Sequence, residues 1–482
     1  MSDTMILLLA TAGKIGFVLV IIFTFAPVLV WAERRQSAMM QDRIGPVRAG
    51  FMLPDIAKDI AGILALLATC VAMAGLFIAI AAVRNDPPEV PGGHPGLAGY
   101  IMATLGNPWF GITFFGLALH AGLYAVVSWL VDNKKSVTLF GLLHPLADAL
   151  KFVWKEDFVP PKADKFLFAM APIVTLIPAI VIFAVVPFGG MLYWEHLMDY
   201  AQLGADGAIT FLAAPKGAVV PTTAAGIPLQ VATLNQGILF LFAVAGTGVI
   251  GAAIAGYSSD NKFALLGGLR AAGQMVSYEV TLGLTLVPAF MLYGTLLPES
   301  FVTWQVQHGV WGILPLFPCF VLFLACSIAE TKRIPFDLPE AESELVAGYF
   351  TEYSGMKFGM FFMAEFIEVV VLSGVIATLF FGGYDAPFLQ PDGRIGLNLE
   401  WLGLGQFVAD GVWLPHGVVI ASQVGAFVAK LVLLIWFQLQ IRWTLPRFRY
   451  DQIMRLCWQY ILPISLGLIF VYGLAIWYFT QV

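Results

Sequence analysis

Long apolar blocks alternate with short polar stretches about ten times along the 482-residue chain. The blocks fall at 5–31, 60–83, 108–131, 165–188, 236–257, 264–292, 310–328, 358–382, 415–440 and 456–479, each nineteen residues or longer. A run of that length crosses the hydrocarbon layer as a helix, because only then do its backbone groups satisfy one another where no water reaches them. The pattern predicts an all-α polytopic membrane bundle of about ten transmembrane helices, forming a single membrane domain over 1–482. The first block is too long for a secretory h-region and ends in Glu33-Arg34-Arg35 with no small-residue cleavage site, so it reads as a retained span.

One stretch follows another rhythm. Leu143, Leu146, Ala147, Leu150, Val153 and Trp154 recur at helical spacing, while Asp148, Lys151 and Lys155 fall on the other side and Pro145 sits near the start. This predicts an amphipathic helix lying at the membrane interface, with an ordinary connector helix as the plainer reading.

Composition sharpens the picture at one place. The chain is 59% apolar and only 12% charged, yet Ala329 to Lys357 carries Glu330, Asp337, Glu340, Glu342, Glu344 and Glu352 against three cations. Lys and Arg are distributed just as unevenly. Loops after the odd-numbered spans hold nineteen of them and the opposite side three, which places the acidic loop on the cytoplasmic side and both termini on the other. The net charge of -6 adds little to this. Cys70, Cys319, Cys326 and Cys457 show no metal-binding spacing and read as small apolar residues inside helices. Gly246-Thr-Gly248, within an apolar span, reads as close helix packing. The connections at 189–235 and 383–414, rich in Gly, Pro and aromatics, read as lids without chemistry. With no phosphate loop and no G-x-G-x-x-G in strand context, nucleotide binding belongs to another polypeptide.

Several segments, in order, carry a resemblance. They are Glu33-Arg34-Arg35-Gln-Ser-Ala-Met-Met-Gln41-Asp-Arg43-Ile-Gly45-Pro46; Leu-Ala-Asp148-Ala-Leu-Lys151 followed by Lys155-Glu156-Asp157; and Ala171-Pro172 with Pro178-Ala179. Then come Arg270-Ala-Ala-Gly-Gln274-Met-Val-Ser277-Tyr278-Glu279, Ile334-Pro335-Phe-Asp337-Leu-Pro-Glu340-Ala-Glu342-Ser-Glu344-Leu, and Leu445-Pro446-Arg447-Phe-Arg449-Tyr450-Asp451-Gln452. Over 1–50 and 141–482 the chain resembles the membrane subunit that carries the quinone chamber of respiratory complex I, the bacterial counterpart of mitochondrial subunit 1. That family usually has eight spans, so 51–140 reads as a two-helix insertion. Gly50 to Lys58 and Gly141 to Lys151 resemble each other, a hint of duplication around it. Val47, His144, Asp260 and Gly273 depart from the family's usual Asn, Gln, Asn and Ala. His144 opens the interfacial helix and is either a group that titrates near neutral pH or a tolerated polar neighbour.

Ionisable groups also lie at membrane depth. Glu279 is nine residues beyond Arg270, about 13 Å at the helical rise; Glu365 is about 12 Å from Lys357, with Glu368 one turn deeper; Lys430 is about 18 Å from Arg442. Each unpaired charge at the bilayer centre costs roughly 2.5–3.5 kcal/mol, so these groups are expected to be paired, neutralised or facing internal water. Arg270 and Glu279 fall on opposite faces of their helix and need different partners, Glu279 facing the acidic loop and the helix after it. Burial drives such groups toward exchanging protons near neutral pH, the property a proton relay needs, although static ion pairs between helices would use the same residues.

The candidate quinone-cavity and coupling-loop residues are Glu33, Arg34, Arg35, Arg43, Asp148, Lys155, Arg333, Asp337, Glu340, Glu342 and Glu344, with Arg34, Arg35, Arg43 and Arg333 available to answer the loop acids. The candidate proton-path residues are Glu279, Glu330, Glu352, Glu365, Glu368 and Lys430, of which the resemblance implies Glu279 and Glu365 as links from quinone chamber to proton channels. The resemblance further implies that quinone is the substrate, that this chain binds no cofactor or metal, and that NADH, flavin and iron–sulfur clusters belong to partner subunits. Those partners are hydrophilic quinone-site subunits and membrane antiporter-like subunits in a bacterial plasma membrane, with lipid around them and no nucleic acid. The alternatives are the equivalent subunit of a membrane-bound hydrogenase, a secondary transporter, for which no inverted repeat with broken helices is visible, and a non-catalytic anchor, which leaves the buried acids unexplained.

Overall fold

The computed structural model describes residues 3–46, 51–52, nine positions between 121 and 137, 141–196, 199–203, 209–212, 219–220, 226–337, 347–387, 389–390, 393–398 and 406–481. Its helices are α1 (Asp3–Met40), α2 (His144–Trp154), α3 (Lys165–Ile182), α4 (Gly237–Ser258), α5 (Lys262–Tyr293), α6 (Pro298–His308), α7 (Phe317–Glu330), α8 (Gly355–Phe380), α9 (His416–Thr444) and α10 (450–481). Within α10 the turn Leu456–Ile461 widens to π-helical geometry. Among the described residues seven helices are long and apolar enough to cross a membrane, so the chain is an all-α, multi-pass membrane protein. The spans expected at 60–83 and 108–131, and Cys70 and Val47, lie outside the described residues apart from isolated helical positions between 121 and 132.

One expected span takes a different form. The run 310–328 becomes helical only from Phe317, and α7 rises about 21 Å over its fourteen residues, less than the hydrocarbon thickness. Gly312, Pro315 and Pro318 account for this. The Gly312 N–H is taken by the Gln305 side chain 2.7 Å away, and a proline cannot supply the N–H that an earlier helical start would use.

The chain divides into two compact units, Ala38–Ala147 and Met1–Ser37 with Asp148–Val482. In the first, β1 (Phe51–Met52) pairs antiparallel with β2 (Ser136–Val137). In the second, α3 packs on α4, α4 on α5, α5 on α7 and α10, and α8 on α3 and α9. The centre is α8, with 72% of its apolar window buried, whereas 11% of α10's is buried and its Phe470, Leu474 and Phe479 point outward. Ile22, Phe183, Phe366, Phe380 and Phe427 fill the core between them.

Local signals set the helix ends. Asp164 accepts from the amides of Phe166 and Leu167 to start α3, and Asn261 accepts from Phe263 to start α5. Between α4 and α5 the chain turns at Asp260, whose φ of 49° lies in the left-handed region that Asp and Asn tolerate best. Glycine brings these two helices together, because a Cβ on Gly268 would sit 2.9 Å from the Ala252 carbonyl and 3.1 Å from the Gly256 Cα.

The lids hold short antiparallel strands. Met191–Leu192 (β3) pairs with Ile227–Pro228 (β7), Tyr200–Leu203 (β4), Ile209–Leu212 (β5) and Val219–Val220 (β6) form a three-stranded sheet, and Arg394–Asn398 (β8) pairs with Gln406–Trp413 (β9). The amphipathic segment is helical as the pattern predicts; none of α2's residues is buried, and Leu146, Leu150, Val153 and Trp154 are 46–79% exposed.

Candidate functional site

Three helix segments bring carboxyl groups to one internal cavity. Glu279 comes from the middle of α5, Glu330 from the last turn of α7 and Glu368 from the middle of α8; Pro178, Leu241, Phe242, Met275 and Leu282 complete the walls. The cavity offers about 40 Å³ to water-sized centres, enough for roughly three waters, in a wall otherwise almost wholly apolar. Glu279 therefore faces the start of the acidic loop and the helix after it, as its face of α5 predicts.

The glycine pair on α4 does a different job from the expected one. A Cβ on Gly246 would lie 2.9 Å from Glu279 Oε1, while one on Gly248 would meet nothing within 4 Å. Gly246 makes room for a carboxylate rather than for a helix, and the helix contacts fall to Gly256 and Gly268. Replacing Gly246 by Ala should leave folding stability unchanged within about 1 kcal/mol, since alanine favours helix and the carboxylate end can shift. Proton translocation should nevertheless fall several-fold. The Gly248→Ala variant, measured alongside by vesicle acidification, should behave as the parent; equal effects of the two changes would disprove the assignment.

Basic groups lie at the rim. Lys332 is 5% exposed, and its Nζ stands 3.9 Å from Glu368 Oε2, an ion pair beyond hydrogen-bonding reach. Burial works to lower the Lys332 ammonium pKa, but the carboxylates of Glu368, Glu365 and Glu330 outweigh it and hold the group above its ordinary value. Its φ of 54° puts this residue in the left-handed region, a conformation costing about 1 kcal/mol that the surrounding contacts maintain. Next along the chain, Arg333 donates to Glu33 Oε2 at 2.7 Å and lies 3.9 Å over the Phe366 ring, while Arg442 from α9 takes the other Glu33 oxygen. Asp337 pairs with Arg447 at 3.5 Å. On α1, Arg34 meets Asp148 of α2 at 2.6 Å, and Arg35 follows it.

These pairings redistribute the expected partners. Arg34 and Arg333 turn to Asp148 and Glu33, and it is Lys332, Arg442 and Arg447 that answer the buried acids. Glu340, Glu342 and Glu344 lie outside the described residues. Arg43 belongs to the unit Ala38–Ala147, where its N–H bonds the Ala38 carbonyl. Lys155 is exposed beyond α2, and the same segment docks on the start of α8 through Asp157 with Lys357 (2.9 Å) and the Ser354 hydroxyl with the Glu156 carbonyl (2.6 Å). Glu352 is occupied elsewhere, accepting from Asn261 Nδ2 at 2.7 Å where α5 begins.

Lys430 is also engaged away from the cavity. Its Nζ donates to the carbonyls of Gly383 (3.0 Å) and Asp385 (2.6 Å), just past the end of α8, and lies 4.8 Å over the Trp311 ring. Asp385 accepts from Trp311 Nε1 at 3.1 Å; burial raises its carboxyl pKa against that bond and the nearby ammonium. Cys319, Cys326 and Cys457 are buried free thiols, and among the described residues no three His, Cys, Asp or Glu gather as metal ligands.

A helical membrane bundle with a cavity of buried carboxyls closed by ion-paired cations defines a class of integral membrane protein that handles charge inside the bilayer. The family profile described as NADH dehydrogenase matches residues 134–473. Geobacter metallireducens has an H-type membrane subunit of NADH-quinone oxidoreductase, numbered 1, that is 41% identical over 350 residues, covering 72% of this chain and 88% of its own length. The H-type protein numbered 2 of Geobacter sulfurreducens is 40% identical over 352 residues, with the same two coverages. Its counterpart numbered 1 in Cytophaga hutchinsonii is 39% identical over 337 residues, covering 70% and 84%. The chain belongs to this H-type family of NADH-quinone oxidoreductase, respiratory complex I, and is thus a membrane component of a multi-subunit oxidoreductase.

Proposed function

We propose that this chain lines the quinone cavity at the cytoplasmic edge of the membrane and supplies the first carboxylates of a proton path, coupling quinone reduction to proton translocation. The observation that carries the reading is the shared cavity of Glu279, Glu330 and Glu368, with Lys332 ion-paired to Glu368 at its rim. A carboxyl in an apolar wall accepts and releases a proton at little cost when a neighbouring cation shifts, because in low dielectric the pair's charge balance dominates its protonation.

Quinone takes two electrons from an iron–sulfur carrier in a hydrophilic partner subunit, which NADH feeds through flavin, and two protons to become quinol. The charge change at the Glu33–Arg333–Arg442 cluster moves the adjoining Lys332, and protons pass between Glu330, Glu368 and Glu279 toward antiporter-like membrane subunits. Glu365 tunes Lys332 from the same face of α8. Glu352 and Lys430 belong to the outer parts of the path, and Glu340, Glu342 and Glu344 to its loop. The complex sits in a bacterial plasma membrane with both termini of this chain outside the cytoplasm, and 51–140 is a two-helix insertion in a single membrane domain. The names of the relatives favour a quinone reductase over a hydrogenase.

The test is Glu279→Gln in the intact complex. Electron entry from NADH to ferricyanide should be unchanged, whereas quinone-linked acidification of membrane vesicles should vanish. Full pumping in that variant would refute the path.

A further inference from the structure

Gln274 is fully buried on α5, one turn before Tyr278, and its side-chain amide reaches two distant points of the chain. Nε2 donates to the Ala329 carbonyl at 2.7 Å and to the Phe336 carbonyl at 2.8 Å, spending both of its N–H bonds. Between those two carbonyls lie Glu330, Thr331, Lys332 and Arg333, the residues whose charges meet the cavity, Glu368 and Glu33. One amide thus fixes both ends of the turn that carries the rim of the site to the helix that carries Glu279.

Other contacts in the turn hold it less specifically. The Phe336 ring is gripped by Tyr278 and Phe448, each 5.7 Å away, the Phe448 N–H reaches the Pro335 carbonyl at 3.2 Å, and the Tyr278 hydroxyl donates to the Ile453 carbonyl at 3.0 Å. Ring contacts of this kind tolerate sliding, whereas hydrogen bonds weaken steeply with distance and angle. Inside the turn, the Lys332 N–H meets the Ala329 carbonyl at 3.3 Å and the Phe336 N–H meets the Arg333 carbonyl at 2.7 Å. Neither bond spans the turn from end to end, as the Gln274 amide does.

We propose that Gln274 is a positioning residue for the proton path: its amide clamps both ends of the 329–336 turn to α5 and so sets the distance between the turn's charges and the Glu279 cavity. This rests on the reading of the cavity as a proton path. It adds that the path is assembled by a neutral amide that touches neither quinone nor a moving proton.

The test uses the complete membrane-embedded complex with Gln274→Met, which keeps the volume and loses both donors, and Gln274→Glu, which offers one donor when protonated and none when ionised. NADH-to-ferricyanide activity reports assembly and electron entry, and should match the parent in both. For Gln274→Met, kcat with quinone should fall about tenfold with little change in KM, as expected of displaced rather than missing groups, and fewer protons should move per quinone reduced. For Gln274→Glu, turnover relative to the parent should decline as the medium is raised from about pH 6 to about pH 8, as a carboxyl above its ordinary range ionises. An unchanged proton-to-quinone ratio in Gln274→Met, or a parental pH profile in Gln274→Glu, overturns the proposal. If the Met variant does not assemble, the Glu profile decides alone. Glu279→Gln is run in parallel: normal pumping there sinks the proton path itself, while lost pumping there beside parental Gln274 variants sinks only the clamp.

Discussion

Replacing Gln305 by Leu should cost the bundle about 3 kcal/mol or more, the largest loss expected from any neutral substitution described above. This buried amide on α6 donates to the carbonyls of Phe301 (3.1 Å) and Thr378 (3.0 Å) and accepts from the amides of Gly312 (2.7 Å) and Gly382 (2.9 Å). It therefore joins α6, the non-helical lead into α7 and the end of α8. A leucine of similar size keeps the volume and leaves the Gly312 and Gly382 amides and the Thr378 carbonyl without the side-chain partner. Each stranded group in a buried setting costs about 1–3 kcal/mol. Thermal unfolding of the detergent-solubilised complex should show a clear drop in the midpoint for this chain, and an unaltered midpoint would contradict the account.

A comparable loss is expected from Glu33→Ala, for an electrostatic reason. Glu33 is the single carboxylate shared by Arg333 and Arg442, and the side chains concerned are only 14%, 12% and 24% exposed. Deleting it leaves two guanidinium groups facing one another in a poorly solvated place. Breaking a buried pair from one side costs about 3–5 kcal/mol, most of it the uncompensated charge. Quinone turnover should fall with stability, because Arg333 lies in the same turn as Lys332. Removing a cation as well, in Glu33→Ala with Arg442→Met, should recover part of the stability, and turnover only if Arg333 keeps its place over Phe366. Assembly yield and thermal midpoint of the single and double variants read this directly, and a double variant no better than the single would disprove the charge argument.

Much of this architecture is legible in the chain because the bilayer leaves few choices. Apolar runs near twenty residues must be helices, and α1, α3, α4, α5, α8, α9 and α10 begin and end close to where the runs do. The exception, 310–328, shows what hydropathy misses: Gly312 and Pro315 are apolar by count, yet they prevent helix and hand an amide to Gln305. The meeting of Glu279, Glu330 and Glu368 is foreshadowed by depth and helix face. Partner choice is not. Arg333 and Glu33 are 300 residues apart, and no spacing rule links them. Lys332, Arg442 and Arg447 stand out in the chain only as cytoplasmic charge, although adjacency to Glu330 marks Lys332 as a candidate. Gln274, Gln305 and Asp385 leave no signal, since a buried amide or lid carboxylate gains its meaning from carbonyls and amides that only the fold brings near.

The central helix has one further consequence. At one end α8 is tied by Lys357 to Asp157, and within it Glu368 is tied to Lys332; beyond its other end, Lys430 and Gln305 hold the carbonyls and amides of the chain that leaves it. Sliding α8 along its axis would break ties at both extremities at once. It therefore behaves as a stator, and any stroke that accompanies turnover falls to the short segments arranged around it.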